Sequence, residues 1–378
     1  MNSGFLSGRH YATGEPIELR WDNGVIQSIE PAPNANADLW IAPALVDLQI
    51  NGYGGIDFQQ DNLTAKQLLT AVTHLHKAGC TRFLLTLITD DWTRLTGRLR
   101  HIRKLRESND ILRHAIAGWH IEGPFLSAEP GFCGAHDASA MRDPSSAHLD
   151  ELRELTGADP LLITVAPERT GALDCIAHAR RLGIQVSLGH TNASAELLAE
   201  AVHRGATAFT HLANGCPREL DRHDNILWRV FETPGLISSL IPDGIHVSPA
   251  LFRLAHRVLG DSIYYTTDAM SAAGMPPGRY PLGKLELEVG PDQIVRYPGR
   301  TNFAGSALRP VDGVFRAARM LSCRWQETWA RFSETPARLM KLPVGLAVGA
   351  PANFCVVRAT RENDLKELRT FSAGTEFA

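Results

Sequence analysis

The 378-residue sequence lacks the features that mark secreted, membrane-spanning and nucleic-acid-binding proteins. Its six cysteines are widely spaced and include no Cys-x-x-Cys pair, which argues against a disulfide framework or a zinc ribbon. No apolar run approaches the roughly 20 residues that span a bilayer, and the start lacks the cationic and apolar blocks of a signal peptide. A formal net charge of −3 provides no overall field for nucleic acid or an anionic membrane. We therefore expect a cytoplasmic protein that binds neither.

The order of apolar runs and helix-like stretches predicts one large parallel barrel. From Ala44 onward the two kinds of segment alternate, which is typical of β-α-β units and hence of a parallel sheet. About eight of the runs have the character of buried strands, the number that closes a (β/α)8 TIM-type barrel. Helices are expected between and after them, for example over 64–78 and over 325–341.

The two chain ends have a different pattern. Short alternating segments flank Asn23-Gly24, which is a hairpin signal, and alternation returns at Asn353-Phe354-Cys355-Val356-Val357. We therefore predict that residues 1–43 and 346–378 pair into one small β-sandwich domain, while residues 44–345 form the barrel.

Four residues that can bind metal or transfer protons each stand at the end of a separate apolar run: Glu122, His190, His211 and Asp268. Strand ends meet at one face of a barrel, so these side chains should converge. Glu122, His190 and His211 match the three-ligand set of a hydrolytic metal site, and Asp268 suits the general acid and base. The competing interpretation, helix-capping carboxylates and ordinary core histidines, would leave several costly polar groups buried.

We expect one divalent metal ion per subunit. A Glu-His-His site with an open position suits zinc best, with iron, cobalt and manganese as alternatives. Gln49 and Asn51 lie two apart on the first strand and should face the barrel mouth together. Amides are poor substitutes for imidazole, so this pair should orient the ligands or the bound water instead of holding a second ion. The alternative is a turn-capping asparagine beside an unrelated glutamine.

His74 and His76 form the most obvious metal-like string in the chain. They lie in a segment with helical spacing, in which residues two apart point in different directions and cannot share an ion. We therefore exclude them from the metal site and place both on the helix surface.

Short motifs follow one another in a specific order from about Pro43 to Val357. They are Ala42-Pro43-Ala44-Leu45-Val46-Asp47-Leu48-Gln49-Ile50-Asn51-Gly52, His120-Ile121-Glu122-Gly123-Pro124-Phe125-Leu126, Gly134-Ala135-His136, Gly189-His190-Thr191-Asn192-Ala193, Thr210-His211-Leu212-Ala213-Asn214, Asp243-Gly244-Ile245-His246, Thr267-Asp268-Ala269 and Ala304-Gly305-Ser306. In this order they resemble the N-acetylglucosamine-6-phosphate deacetylase family of the amidohydrolase superfamily. The resemblance implies the same metal ligands and the same role for Asp268.

The resemblance also implies roles that spacing alone does not suggest. It makes His136 a donor to the acetyl carbonyl oxygen and His246 a substrate-binding histidine. The family holds the sugar phosphate with backbone amides, which correspond here to Asn214 and Gly215, and with a loop arginine, for which Arg222 is the candidate. That arginine acts in its own subunit or reaches into the neighbour of a homodimer. We expect Ala304 and Gly305 to contact the substrate, because they belong to the last of the matching motifs.

The function that the resemblance implies is hydrolysis of the N-acetyl group of N-acetylglucosamine 6-phosphate to glucosamine 6-phosphate and acetate. The sequence departs from the family at Gly215-Cys216-Pro217, where Ala-Met-Pro is usual, and has a short insertion at Pro130-Gly131-Phe132-Cys133. One alternative is therefore the same chemistry on an unphosphorylated or differently substituted amino sugar. The other is a barrel without catalytic activity that serves as a binding module.

Overall fold

The computed structural model describes residues 2–298 and 303–377. Its strands are β1 (Gly4–His10), β2 (Pro16–Asp22), β3 (Val25–Pro31), β4 (Trp40–Pro43), β5 (Leu45–Ile50), β6 (Gly52–Tyr53), β7 (Ile56–Asp57), β8 (Cys80–Ile88), β9 (Ile116–Glu122), β10 (Leu161–Val165), β11 (Gln185–Leu188), β12 (Ala208–Phe209), β13 (Ile237–Leu240), β14 (Ile263–Tyr265), β15 (Gly278–Leu282), β16 (Leu285–Val289), β17 (Val295–Arg296), β18 (Phe354–Ala359), β19 (Leu365–Ser372) and β20 (Thr375–Phe377).

The α-helices are α1 (Ala65–Lys77), α2 (Trp92–Glu107), α3 (Asp110–Ala115), α4 (Ser146–Thr156), α5 (Ala172–Arg181), α6 (Ala195–Arg204), α7 (Ile226–Glu232), α8 (Pro249–Leu259), α9 (Pro310–Leu321), α10 (Trp325–Trp329) and α11 (Glu334–Leu339). Short 3₁₀ turns cover Ala138–Ala140 and Ala330–Phe332. Most of the longer helices begin at a Ser, Thr, Asp or Asn whose side chain accepts a backbone N–H of the first turn, as at Thr64 before α1 and Ser248 before α8.

Eight parallel strands form the barrel and confirm the predicted fold. β5 and β8 to β14 pair in chain order, each parallel to the next. All seven residues of β9 are buried, as expected for a strand covered on both faces. At the seam between β14 and β5 a bridge between Ile50 and Ala269 takes the place of a ladder.

Part of the barrel interior is polar. A chain of hydrogen bonds runs from His120 Nε2 to Thr164 Oγ1 (2.8 Å), from there to Thr210 Oγ1 (2.9 Å), and on to Ser187 Oγ (2.6 Å). The three buried hydroxyls satisfy one another, so their burial costs little. Glu122 lies two residues beyond His120 on the same strand and therefore points into the same interior, one layer nearer the mouth.

The chain ends build one seven-stranded sheet in the order β20-β19-β18-β4-β1-β2-β3. The sheet curls on itself, because Trp21 of β2 contacts Phe354 of β18 and Phe371 of β19 at ring-centroid distances of 5.2 and 5.4 Å. Two strands separate β2 from β18, so a flat sheet would hold them roughly 14 Å apart. The two halves thus pack face to face around their own apolar core, as in a sandwich. The predicted boundary falls between β4, which ends at Pro43, and β5.

Three predicted strands end earlier than expected. β11 and β12 stop two residues before His190 and His211, and β14 stops three residues before Asp268. Each of these three residues has a positive φ, which is incompatible with continuing a strand. These three residues therefore lie in the loops that follow the strands.

The helical predictions need two corrections. The segment predicted as one helix over 325–341 is interrupted by a 3₁₀ turn between α10 and α11, since Pro336 has no N–H with which to continue the ladder. His74 and His76 lie on α1 as predicted, but His76 is buried, with its ring 4.5 Å from that of Phe377. The C-terminal strand covers this face of the helix, which periodicity within α1 does not reveal.

A small three-stranded sheet, β15-β16-β17, lies over the barrel mouth. Its first turn is anchored where Gly283 N donates to Asp57 Oδ2 (2.8 Å) and where Lys284 Nζ lies 3.4 Å from Asp90 Oδ1. Among the described residues, no helix has the length and apolar composition needed to cross a lipid bilayer.

Candidate active site

Three of the predicted site residues adopt a backbone conformation that is rare for residues with a side chain. His190, His211 and Asp268 have φ values of 51°, 31° and 51°. A left-handed residue other than glycine costs of order 1–3 kcal/mol and tends to occur where function requires it. The left-handed backbone conformation directs each of these side chains from the end of its strand toward the barrel axis.

Glu122, His190 and His211 bring three donor atoms together at the mouth. Glu122 Oε1 lies 2.9 Å from His211 Nε2 and 3.5 Å from His190 Nε2, and the two Nε2 atoms are 3.1 Å apart. All three side chains are buried. Burial alone would favour a neutral Glu122, but hydrogen bonds from the two histidines hold its pKa well below the usual range.

The arrangement fits a bound divalent cation. In a tetrahedral site with ligand bonds of about 2.0–2.1 Å, the donor atoms lie roughly 3.3 Å apart. The three separations observed here, 2.9, 3.1 and 3.5 Å, lie on either side of that value. His190 Nδ1 bonds to the carbonyl oxygen of Phe132 (2.7 Å), so that its Nε2 is directed at the cluster. Phe132 belongs to the insertion noted in the sequence.

Glycines allow two loops to pack against the ring of His190. A Cβ on Gly215 would lie 2.8 Å from His190 Nδ1, and one on Gly134 would lie 2.9 Å from its Cε1. Both glycines have a positive φ, so a side chain would also be strained. Gly215 is one of the residues expected at the phosphate, and here its backbone lies next to a metal-ligand candidate.

Asp268 is linked to the cluster through the two amides of the first barrel strand. Its Oδ1 accepts from Asn51 Nδ2 (2.7 Å) and Gln49 Nε2 (2.9 Å), and the same Gln49 nitrogen lies 2.8 Å from Glu122 Oε1. Gln49 and Asn51 thus face the mouth together. Burial and the nearby Glu122 charge raise the pKa of Asp268 to about 8.

His136 lies at the edge of the same cluster. Its Nε2 is 3.9 Å from Glu122 Oε2, and its ring stands edge-on to His190 at a centroid distance of 4.6 Å. Atoms of Glu122, His136 and His190 all fall within 4.8 Å of one another. His136 Nδ1 bonds to Thr89 Oγ1 (2.9 Å), and burial and the neighbouring His190 lower its pKa to about 3.

His246 is held by a carboxylate three residues earlier. Asp243 Oδ2 lies 2.6 Å from His246 Nδ1, and Asp243 Oδ1 accepts the backbone N–H of His246 (2.8 Å). His246 Nε2 is buried and has no partner among the described residues. The ring of Phe303 lies 5.2 Å away. The imidazole therefore presents one unsatisfied nitrogen.

The loop after His211 carries the remaining candidates. Asn214 is half-buried and bonds back to the carbonyl oxygen of His211 through its backbone N–H (2.9 Å). Arg222 is exposed. The acids beside it are engaged elsewhere, because Asp224 pairs with Arg229 (2.6 Å) and Asp221 accepts backbone N–H groups of its own turn.

Ala304 and Gly305 run alongside the segment that carries Asp268. Ala304 is buried, and Ser306 N donates to the carbonyl oxygen of Asp268 (2.8 Å). The residues before Phe303 in this segment, 299–302, lie outside the described part of the chain.

Several polar partners of the site have no signal of their own in the sequence. Thr89 and the Phe132 carbonyl oxygen support His136 and His190, but their roles depend on contacts between distant loops. Asp243 lies only three residues before His246, so its contact is local in the sequence. Asp47 is different: it is a fully buried carboxylate in the middle of β5, and a charged residue inside an apolar run is a signal that was available.

Comparison with known proteins agrees with this geometry. No family model matches the chain. N-acetylglucosamine-6-phosphate deacetylases from Vibrio furnissii and Danio rerio are 30% and 32% identical, covering 84% and 89% of this chain and 79% and 84% of their own lengths. An N-acetylgalactosamine-6-phosphate deacetylase from Escherichia coli O157:H7 is 30% identical over 85% of both chains.

Among solved structures, a mutant N-acetyl-D-glucosamine-6-phosphate deacetylase from Mycobacterium smegmatis, in complex with N-acetyl-D-glucosamine-6-phosphate, superposes with a TM-score of 0.88 at 28% identity over 99% of both chains. Fold and site together define a hydrolase of the amidohydrolase superfamily that acts on an amide bond, with a cluster able to hold a metal. Within that class, the chain belongs to the N-acetylglucosamine-6-phosphate deacetylase family.

Proposed function

We propose that this chain hydrolyses the N-acetyl group of N-acetylglucosamine 6-phosphate, giving glucosamine 6-phosphate and acetate. The observation that carries the proposal is the convergence of Glu122, His190 and His211 with Asp268 in one buried network at the barrel mouth. That network occurs in a chain of the deacetylase family, and a relative of similar structure binds this sugar phosphate.

Glu122, His190 and His211 are the proposed ligands of one divalent metal ion, with zinc as the best fit. When bound, the ion would polarise the acetyl carbonyl and make a water molecule more acidic. Its positive charge would also lower the pKa of Asp268, leaving the carboxylate ionised at neutral pH. Asp268 then accepts a proton from the attacking water and delivers it to the sugar nitrogen as acetate leaves. Gln49 and Asn51 hold the carboxylate in place.

His136 is the proposed donor to the oxyanion that forms on the acetyl group. Its Nδ1 is bonded to Thr89 Oγ1, so its Nε2, near Glu122, is the nitrogen that faces the reacting carbonyl. A preorganised donor of this kind stabilises the transition state more than the substrate.

His246 is the proposed sugar-binding histidine. Asp243 fixes its ring through Nδ1, which leaves the buried and unpartnered Nε2 for a substrate hydroxyl or carbonyl group. Such a nitrogen costs free energy until a ligand occupies it. Ala304 and Gly305, next to the Asp268 segment, are proposed to line the same pocket.

The phosphate is proposed to lie at the backbone of Asn214 and Gly215, with Arg222 as its counter-charge. The engagement of Asp221 and Asp224 by other groups supports this, because it leaves the Arg222 side chain for a ligand. Arg222 is exposed and the half-exposed Trp228 donates to its carbonyl oxygen (3.2 Å), so the loop is accessible to a second subunit. We propose a homodimer on these grounds and on the family resemblance. The free cysteines support a cytoplasmic location.

A side-by-side assay of four sugars tests the proposal. The kcat/KM for N-acetylglucosamine 6-phosphate should exceed that for its unphosphorylated form by at least tenfold, since a phosphate-binding contact is worth more than about 1.4 kcal/mol. N-acetylgalactosamine 6-phosphate and free N-acetylgalactosamine complete the set. Equal turnover of the free sugars would refute the phosphate assignment. A purified protein that cleaves none of the four with any of zinc, iron, cobalt or manganese would instead be a binding module.

A further inference from the structure

Asp47 crosses the one seam of the barrel that lacks a ladder. It lies on β5, has no exposed surface, and reaches the segment beyond β14. Its Oδ1 accepts from Thr266 Oγ1 (2.5 Å), and its Oδ2 accepts from Thr267 N (3.0 Å) and Thr267 Oγ1 (2.6 Å). A single carboxylate thus adds side-chain hydrogen bonds to a seam whose backbone pairing is limited to the bridge between Ile50 and Ala269.

The segment that Asp47 holds ends in Asp268. Thr267 is its immediate neighbour, and on the other side of the segment Ser306 bonds to the carbonyl oxygens of Thr267 (2.6 Å) and Asp268 (2.8 Å). The left-handed φ of Asp268 can persist only if surrounding contacts over-determine it. Asp47 and Ser306 supply those contacts from opposite sides.

Burying this carboxylate has no evident benefit to stability alone. Burial raises the pKa of Asp47 to about 6, which means that its ionised form is disfavoured in this place even with the hydrogen bonds it accepts. A pair of apolar residues could close a seam without that cost. Unlike an apolar residue, the carboxylate fixes two backbone N–H groups, of Gln49 and Thr267, and two hydroxyl groups at defined positions.

We propose that Asp47 is a positioning residue for the general base: it holds Thr266 and Thr267 so that the Asp268 carboxylate stays aligned with Gln49, Asn51 and the metal-ligand cluster. The inference rests on the proposed function for its catalytic consequence. The predicted effect of Asp47 on the position of the Asp268 carboxylate does not depend on which substrate is cleaved.

The first test replaces Asp47 by Asn. The amide has one acceptor oxygen in place of two, so its NH₂ group must face either the donors of Thr267 or those of Thr266 and Gln49, and one of the two sets of contacts is lost. We expect kcat to fall by about 10²-fold, the effect of misplacing a reacting group by roughly 1 Å, with KM and metal content close to wild type. Asp159→Asn is the matched control, because it removes an acid that bonds to Arg106 (2.9 Å) and Trp119 (3.0 Å) near the opposite end of the barrel. It should leave kcat unchanged.

Two conservative substitutions of Thr267 test the same contact if the Asp47→Asn protein does not fold. Thr267→Val keeps the shape and the backbone N–H but loses the hydroxyl, whereas Thr267→Ser keeps both donors. We expect Thr267→Val to lower kcat by about tenfold and Thr267→Ser to restore it. In the double variant with Asp47→Asn the losses should be less than additive, since both remove the same contact. Wild-type kcat in Asp47→Asn and Thr267→Val, or a loss that follows metal content, would overturn the proposal.

A crystal structure of the Asp47→Asn protein separates this inference from the proposed function. The Asp268 carboxylate should move out of hydrogen-bonding distance of Gln49 and Asn51. If it stays in place, the positioning role is wrong even when the wild-type enzyme is active. If it moves while no amino sugar is cleaved by the wild type, the positioning role stands and the proposed substrate is wrong.

Discussion

At the scale of single residues, the site depends on a few side chains held by specific neighbours. Asp268 is oriented by two amides, His190 by a carbonyl oxygen and His246 by a carboxylate. Each partner fixes which atom of the side chain is left for other contacts. Substitutions that keep shape but change hydrogen-bonding character are therefore the most informative.

Replacing Asp268 by Asn should abolish most turnover while leaving the metal in place. The amide has nearly the same shape but cannot carry the proton, so kcat should fall by at least about 10²-fold. Metal content by elemental analysis and product binding by calorimetry should remain at wild-type levels. Asp261→Asn, at a fully exposed acid, serves as the control. Near-wild-type turnover in the Asp268 variant would mean that another group is the base.

Removing His190 or His211 should lower metal content instead. Each imidazole is one of the three proposed metal donors, and truncation to Ala would leave an incomplete set. Metal per chain after dialysis should drop well below wild type in either variant. His203→Ala, on the exposed end of α6, should bind metal normally. Full occupancy in both site variants would show that the ligand set is wrong.

At the scale of elements, the active loops are shaped by close packing around His190. Three strands end before His190, His211 and Asp268, and the left-handed conformation of these three residues brings them back over the barrel. The loops of Gly134 and Gly215 can then approach the imidazole only because they lack a Cβ.

Gly215→Ala should disturb the metal site through this contact. A Cβ at 2.8 Å from His190 Nδ1 must displace the ring, and the φ of 61° adds strain of order 1–3 kcal/mol. We expect weaker metal retention in a competition titration with a chelator. Gly183→Ala isolates the contact from the strain, because Gly183 also has a positive φ but nothing lies within 4 Å of its Cβ position. Equal metal affinity in the two variants would argue against packing on His190.

At the scale of the whole molecule, the curled sheet made from the two chain ends packs against the barrel. The C-terminal strand β20 covers α1, and Phe377 buries His76. This contact joins the last residues of the chain to a helix of the barrel. It also removes an ionisable group from water.

The burial of His76 predicts a loss of stability in acid. Desolvation lowers its pKa to about 4 in the folded protein, against about 6.5 in the unfolded chain. Below pH 6.5 the unfolded state takes up a proton that the folded state resists. The free energy of unfolding is therefore unaffected by His76 above pH 6.5 and decreases as the pH falls from 6.5 to 4. The loss at pH 4 amounts to about 3 kcal/mol. The quantity to measure is the urea-derived free energy of unfolding of wild type minus His76→Leu at several pH values.

That difference should become less favourable to wild type as the pH falls. Asp47 has the opposite effect on the pH dependence of stability, because burial raises its pKa to about 6. Its effect is the same in wild type and in His76→Leu, so it cancels in the difference between the two proteins. A difference that stays constant between pH 7 and pH 4 would contradict a buried, neutral His76.

The sequence alone determined the fold and indicated most residues of the candidate site. Apolar runs that alternate with helical segments specify a parallel barrel, and acids and histidines at the ends of four runs mark its mouth, because both are local patterns. Only the tertiary structure decided the rest. The left-handed turns at His190, His211 and Asp268, the burial of His76 and the crossing of the seam by Asp47 all depend on contacts between segments far apart in the chain. Such contacts form only when the barrel closes, so no stretch of sequence records them by itself.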